Sequence, residues 1–410
     1  MIHKKKHIPR PLTKLSTLLF LFVLTSGALD SCTEPFSLET ASSDNPLVVD
    51  ATITNELKNH EILLSRAAQA GGDGPLVETN ANIRVVDDTQ QEFLFVETEP
   101  GRYISSVEFS ALPNRTYRLA ITTSNGNSYS SDPVQLPQTT QIDNVHFKRT
   151  TTDSGLDGMA ISVDSFDPTG NATYYKYEYE ETYKIIAPRW VPDEFVILSE
   201  DPPGVDALPR TREEKTCYAT ERSNSLILTN TDGSGEGRVT DFNVQFINRD
   251  NFIISHRYSI LIKQHVLSRE AYSFYEKLQE FSGSESLFSQ SQPGFIKGNI
   301  FSEDGKNERV VGIFNISSVS EKREFFNYVD FFPEEELPPF VDDCRQTNLL
   351  FTTLDDRFRL IELIKSNSIS FSGFIFSPEF GTVIGVIHTP RKCGDCNELG
   401  SNVAPDFWEE

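Results

Sequence analysis

What most restricts the fold of this chain is its punctuation. Between residues 47 and 130, short runs with every second residue apolar are separated by turn-forming pairs. A strand presents successive side chains to opposite faces, so a period of two marks a strand with one buried face. Runs at 47–54, 60–65, 81–86, 91–97, 102–107, 117–124 and 127–130 have this character. Pro100-Gly101 and Asn125-Gly126 separate neighbouring runs, and Asn-Gly accepts the left-handed backbone of a tight hairpin. Strands and turns at this density predict an immunoglobulin-like β-sandwich over 47–137.

The remainder, 138–410, reads as a larger β-rich domain with one or two packed helices. Residues 159–164, 173–186, 241–247 and 257–265 have strand periodicity. The run 173–186 places Tyr175, Tyr177 and Tyr179 on one face and Tyr174, Lys176, Glu178 and Glu180 on the other, while 241–247 points Phe242, Val244 and Phe246 inward. The period changes over 268–281, where Ala271, Phe274, Tyr275, Leu278 and Phe281 recur at helical spacing behind Ser268, a cap residue. A second helix is expected over 354–365. The fold class is therefore mainly β.

The N-terminus is a separate unit. Lys4, Lys5, Lys6, Arg10 and Lys14 precede an apolar run at 15–24 that is about half the roughly 20 residues a membrane-spanning helix requires. It has the form of an export signal. Leu29-Asp30-Ser31 then leads into Cys32, with a large residue three positions before the cysteine, where an ordinary signal peptidase site prefers a small one. This is a lipoprotein signal peptide over 1–31, with Cys32 as the acylated first mature residue. Residues 32–46, polar and turn-prone, form the lipid-anchored tether.

The chain carries 37 Lys and Arg against 60 Asp and Glu. Removal of 1–31 takes away five basic side chains and Asp30, which leaves a net charge near −27. Such a field opposes nucleic acid. Besides Cys32 there are Cys217, Cys344, Cys393 and Cys396, an even number in an exported chain and so disulfide candidates. Joining Cys393 and Cys396 to Cys217 and Cys344 would staple the C-terminal tail to the body. A local Cys393–Cys396 bridge is the alternative, and zinc or thiol chemistry at Cys393-Gly-Asp-Cys396 are further readings.

No catalytic constellation stands out. His60-Glu61 lacks the second histidine of a zinc-protease helix, and there is no nucleophile elbow or phosphate loop. Neither a metal nor a cofactor is expected, and the chain reads as non-enzymatic. Aromatic residues supply the binding candidates: Tyr174 and Tyr177 on the tyrosine-rich strand, and Trp190 in a Pro-flanked segment.

The ordered series of Leu47-Val-Val-Asp-Ala-Thr-Ile-Thr, Tyr-Lys-Tyr-Glu-Tyr-Glu-Glu-Thr-Tyr, Cys217-Tyr218, Arg257-Tyr-Ser-Ile-Leu-Ile-Lys-Gln, Pro293-Gly-Phe-Ile-Lys-Gly-Asn-Ile and the closing Cys393-Gly-Asp-Cys through Trp408 resembles a Bacteroidetes lipoprotein family, domain of unknown function 4249. The resemblance implies an outer-membrane lipoprotein on the periplasmic or cell-surface face, often encoded beside TonB-dependent receptors. It implies a role as accessory or binding partner of such a transport system. A glycan- or peptide-binding surface protein is the alternative, and a hydrolase a more distant one.

Overall fold

A computed structural model describes residues 45–67, 76–233, 237–283, 296–304 and 308–410. Cys32 and nearly all of the tether lie outside the described residues. No described helix is long and apolar enough to cross a membrane.

One strand organises the molecule. Val310–Asn327 pairs in parallel with Leu47–Thr54 through residues 310–317 and antiparallel with Arg257–Leu267 through residues 318–327. Its near-continuous burial from Val310 to Ser320 is what a strand covered on both faces requires. Two cores thereby meet on one backbone.

The first core collects Leu47, Val49, Ala51 and Ile53 with Ile62, Leu64, Ile83, Val85, Phe93 and Tyr117, and it also takes Ile300, Val310, Phe314 and Ile316 from the later chain. Its strands follow a single hydrogen-bonded path, from Leu47–Thr54 through Glu61–Arg66, Arg102–Ser105, Glu92–Glu99, Asn82–Asp87, Thr116–Thr122 and Ser128–Ser131 to Ile300–Ser302. The Asn299 side chain, just before the last strand, makes two 2.8 Å hydrogen bonds to the Phe314 backbone. The path starts on the strand paired with Val310–Asn327 and thus, at its other end, returns to that long strand. The expected strands are present, but this order gives no support to an immunoglobulin-like sandwich complete by residue 137. Two glycines permit the junction: a Cβ on Gly312, whose φ is +131°, would collide with the Val49 carbonyl, and one on Gly298 would collide with the Gly312 carbonyl.

The second core lies between the sheet of Tyr174–Ile186, Arg257–Leu267 and Val310–Asn327 and a three-stranded sheet of Ile142–Thr151, Asp157–Phe166 and Arg238–Asn248. Tyr175, Tyr177, Tyr183, Tyr258, Ile260 and Ile262 pack there against Met159, Ile161, Val163, Val239, Val244 and Ile247. Register shifts after Ile161 and after Val163 break the strict alternation of Arg238–Asn248. Phe242 and Phe246 are therefore only half-buried, while Val239 and Ile247 are buried.

Helix Arg269–Gly283 starts where Ser268 Oγ accepts the Ala271 N–H at 3.1 Å. Ala271, Tyr272, Phe274 and Tyr275 bury against Leu267 and Ile313, whereas Leu278 and Phe281, expected on the packed face, are exposed. Near the C-terminus, strands Thr347–Leu350, Ile369–Phe376 and Val383–Pro390 and helix Leu354–Lys365 enclose a small core around Leu360 and Val386. Cys217–Cys396 and Cys344–Cys393 are the two disulfides, so the C-terminal pair does reach back to the body.

Candidate functional site

The aromatic candidates are not gathered into one site. Tyr177 is completely buried, and its hydroxyl donates to Gln264 Oε1 at 2.9 Å, so its phenol belongs to the core and offers no binding face. Tyr174 faces outward: its hydroxyl donates to Asp232 at 2.9 Å, its ring lies 5.0 Å from that of Tyr272, and the Arg269 guanidinium stands over it at 5.4 Å. Trp190 packs on the second core with a buried, unpartnered indole N–H, and the Lys215 ammonium lies 5.6 Å from its ring. Among the described residues the three share no hydrogen bond or ring contact. The tyrosine strand is thus structural on one face, and what it offers a ligand lies on the other.

That other face floors a groove of about 500 Å³. Strand pairing sets Lys176 opposite His265, Glu178 opposite Lys263, and Glu180 opposite Arg222. Directly opposed residues share a face of the sheet, so the floor sets the carboxylates of Glu178 and Glu180 against the cations of Lys263 and Arg222. Ser223, Asn224, Ser225 and Leu226 form one wall, where the chain leaves the sheet after Ser223 N–H bonds the Tyr179 carbonyl at 2.9 Å.

The charges are arranged in closed pairs. Lys176 Nζ donates to Glu178 Oε1 at 2.8 Å, Glu178 Oε2 lies 3.4 Å from His265 Nε2, and His265 Nδ1 lies 3.2 Å from Ser317 Oγ. His265 and the Lys176 pair hold the Glu178 carboxyl well below the ordinary carboxylate range, although burial acts the other way. Burial lowers the His265 pKa and outweighs the pull of Glu178, so the imidazole is neutral near pH 7. For Lys176 the order reverses: burial acts to lower its pKa, but Tyr275, Glu178 and Asp50 outweigh it and keep the ammonium charged. Lys263 sits between Glu56 at 3.7 Å and Glu321 at 3.5 Å, and Arg323 reaches Glu180 at 3.2 Å.

The C-terminal tail crosses the neighbouring part of this face. Ser401 and Tyr218 exchange backbone hydrogen bonds of 2.9 and 2.8 Å, Trp408 packs edge-on against Tyr218 and Phe325, and Glu410 pairs with Lys184 at 2.7 Å. The Cys217–Cys396 disulfide fixes the root of that tail to the edge strand Thr216–Arg222.

Sequence reasoning placed Lys176, Glu178 and Glu180 on one face but assigned the strand's binding role to its tyrosines. The missed signal was the Lys-x-Glu-x-Glu alternation facing a second charged strand. Among the described residues no group of three His, Cys, Asp or Glu could hold a metal ion.

The family model described as Domain of unknown function (DUF4249) matches residues 33–323. The chain belongs to that family. No curated protein gives a significant match. Two solved structures show faint similarity. Trypsin-activated alpha-2-macroglobulin from Escherichia coli is 12% identical, over 55% of this chain and 15% of its own, with a TM-score of 0.17. A DUF4785 family protein from Legionella pneumophila is 8% identical, over 53% of this chain and 51% of its own, with a TM-score of 0.16. The chain thus spans about half or less of either protein, and scores at this level carry no argument about this DUF4249 member.

Proposed function

We propose that this protein is a non-enzymatic cell-envelope lipoprotein, anchored in the outer membrane through Cys32, that serves as an accessory or binding partner of a TonB-dependent transport system. The observation that carries the reading is the N-terminal sequence, a basic segment and short apolar core ending in Leu29-Asp30-Ser31-Cys32. The resemblance to lipoproteins encoded beside TonB-dependent receptors supports the partner. The groove is consistent with recognition: Glu178, the carboxylate held furthest from its ordinary pKa there, is already engaged by Lys176 and His265. A general acid or base needs a free position toward a substrate.

Extraction of native membranes in several mild detergents tests the proposal. Copurification of a β-barrel receptor with the lipoprotein is the expected result, and recovery of the lipoprotein alone in every detergent counts against it. A second reading, a glycan or peptide ligand in the groove, is favoured by its polar walls and charged floor. Retention on a polysaccharide or peptide matrix that disappears in Arg222→Ala/Lys263→Ala would support it, and release of reducing ends would indicate a hydrolase instead.

A further inference from the structure

Residues 366–389 contain one charged side chain, Glu379, although 24% of the whole chain is charged and about six would be expected in a stretch of that length. They form the hairpin of Ile369–Phe376 and Val383–Pro390. Its inner side chains, Ile369 and Val386 among them, face the small core with Leu360, and this accounts for part of the depletion. The tip has no such explanation. Phe380 is 77% exposed and Phe376 56%, while Val383, which pairs with Phe376 across the hairpin, and Ile384 beside it also keep more than a third of their surface in solvent. Leu350, paired with Gly385 on the adjoining strand, extends the apolar surface.

The tip is also built to hold its shape. Ser377 N–H bonds the Thr382 carbonyl at 2.8 Å, Gly381 N–H bonds the Ser377 carbonyl at 2.9 Å, and Gly381 takes the positive φ of +64° that closes the turn. Phe380 is thereby presented outward from a fixed loop. An ordered, protruding aromatic tip whose one charge is Glu379 differs from the concave, pocketed surface that usually anchors a protein partner. It has the form of a wedge for the acyl and headgroup boundary of a bilayer, where aromatic side chains are favoured.

The tether supplies the occupant. Residues 33–44 span at most about 45 Å when extended. That reach exceeds the radius of gyration expected for a folded chain of this length, on the order of 20 Å. A lipid on Cys32 would keep the body beside the bilayer, and an upper limit of that size does not by itself specify which face lies against it. Orientation then has to come from the surface of the body itself. A strongly acidic exterior is repelled from anionic headgroups, and the hairpin carries no lysine or arginine to offset this.

The geometry points to the 369–390 hairpin as a second, non-covalent membrane contact, with Phe376 and Phe380 inserting among zwitterionic or neutral lipid headgroups and so orienting the body. The inference rests on acylation of Cys32. The full lipidated chain carrying Phe380→Trp, a change the exposed loop accommodates, is reconstituted into phosphatidylethanolamine/phosphatidylcholine vesicles with brominated acyl chains. The unsubstituted protein, with Trp190 and Trp408, serves as the baseline. Flotation with the vesicles reports the anchor, and a chain that does not float refutes the acylation reading. In floated protein, the added emission is expected to shift to the blue and be lost to bromine quenching, and to recover when phosphatidylglycerol is included. Added emission that stays solvent-like and unquenched in floated protein overturns the hairpin contact and leaves the tip to a protein partner.

Discussion

Replacing Cys217 and Cys396 together by alanine removes the link between the edge strand and the tail while leaving Cys344–Cys393 intact. The two residues are 179 apart in sequence. In the chain-entropy model a closed loop of roughly 180 residues restricts the unfolded chain by about 5 kcal/mol at 25 °C. The second disulfide, spanning 49 residues inside that loop, provides a shortcut that reduces the effective loop to about 130 residues, and the logarithm barely changes. Both cysteines are fully buried, so truncation adds a small packing loss. The expected loss is therefore about 3 to 5 kcal/mol, the upper part of the range seen for native disulfides. Urea unfolding under non-reducing conditions measures it, with Trp408 emission reporting the tail through its contact with Tyr218. A loss under about 1 kcal/mol, or a tail that stays docked as firmly as before, would refute the reasoning.

Three further outcomes follow from the geometry. Gly312→Ala places a methyl group against the Val49 backbone at a φ of +131°, so it should cost more than about 3 kcal/mol or prevent folding, whereas Gly126→Ala, at a φ of +87° but with open space around its Cβ, carries only the backbone strain and should cost less, about 1 to 2 kcal/mol; thermal unfolding separates them. Burial pushes the His60 imidazole down to about 4 despite its Nε2 contact with the Phe109 carbonyl at 2.9 Å. Its neutral form therefore adds stability that is complete above pH 6.5 and is lost as pH falls toward 4, about 3 kcal/mol in all, so His60→Gln should flatten the pH dependence of unfolding in that window. In the groove, Lys176→Met leaves Glu178 with His265 alone, and the Glu178 carboxyl should titrate nearer its ordinary range by carbon-13 NMR; an unchanged titration would show that Lys176 does not contribute.

The sequence made local structure readable and left long-range pairing hidden, for physical reasons visible in particular residues. Ser268 capping the helix and the Thr353 and Asp356 capping box of Leu354–Lys365 are interactions within a few residues, and both helices were expected where they occur. The Asn125-Gly126 hairpin was also expected, but only Gly126 takes a positive φ; Thr123 pairs with Asn127, one position outside the two-residue turn. The parallel pairing of Leu47–Thr54 with residues 310–317 joins segments more than 250 residues apart, and alternation within either strand does not encode its partner. For the same reason the first core looked self-contained. The second face of the tyrosine strand was likewise not readable, because what covers Lys176 is helix Arg269–Gly283, far later in the sequence, with the lysine ammonium 5.1 Å from the Tyr275 ring.

The central claim is that this fold works from a lipid anchor. Mass spectrometry of the N-terminal peptide of protein purified from native membranes tests it most directly. The account predicts a mature chain beginning at Cys32 and carrying a diacylglyceryl group with an additional acyl chain. An unmodified N-terminus, or a mature chain beginning beyond Cys32, would contradict it.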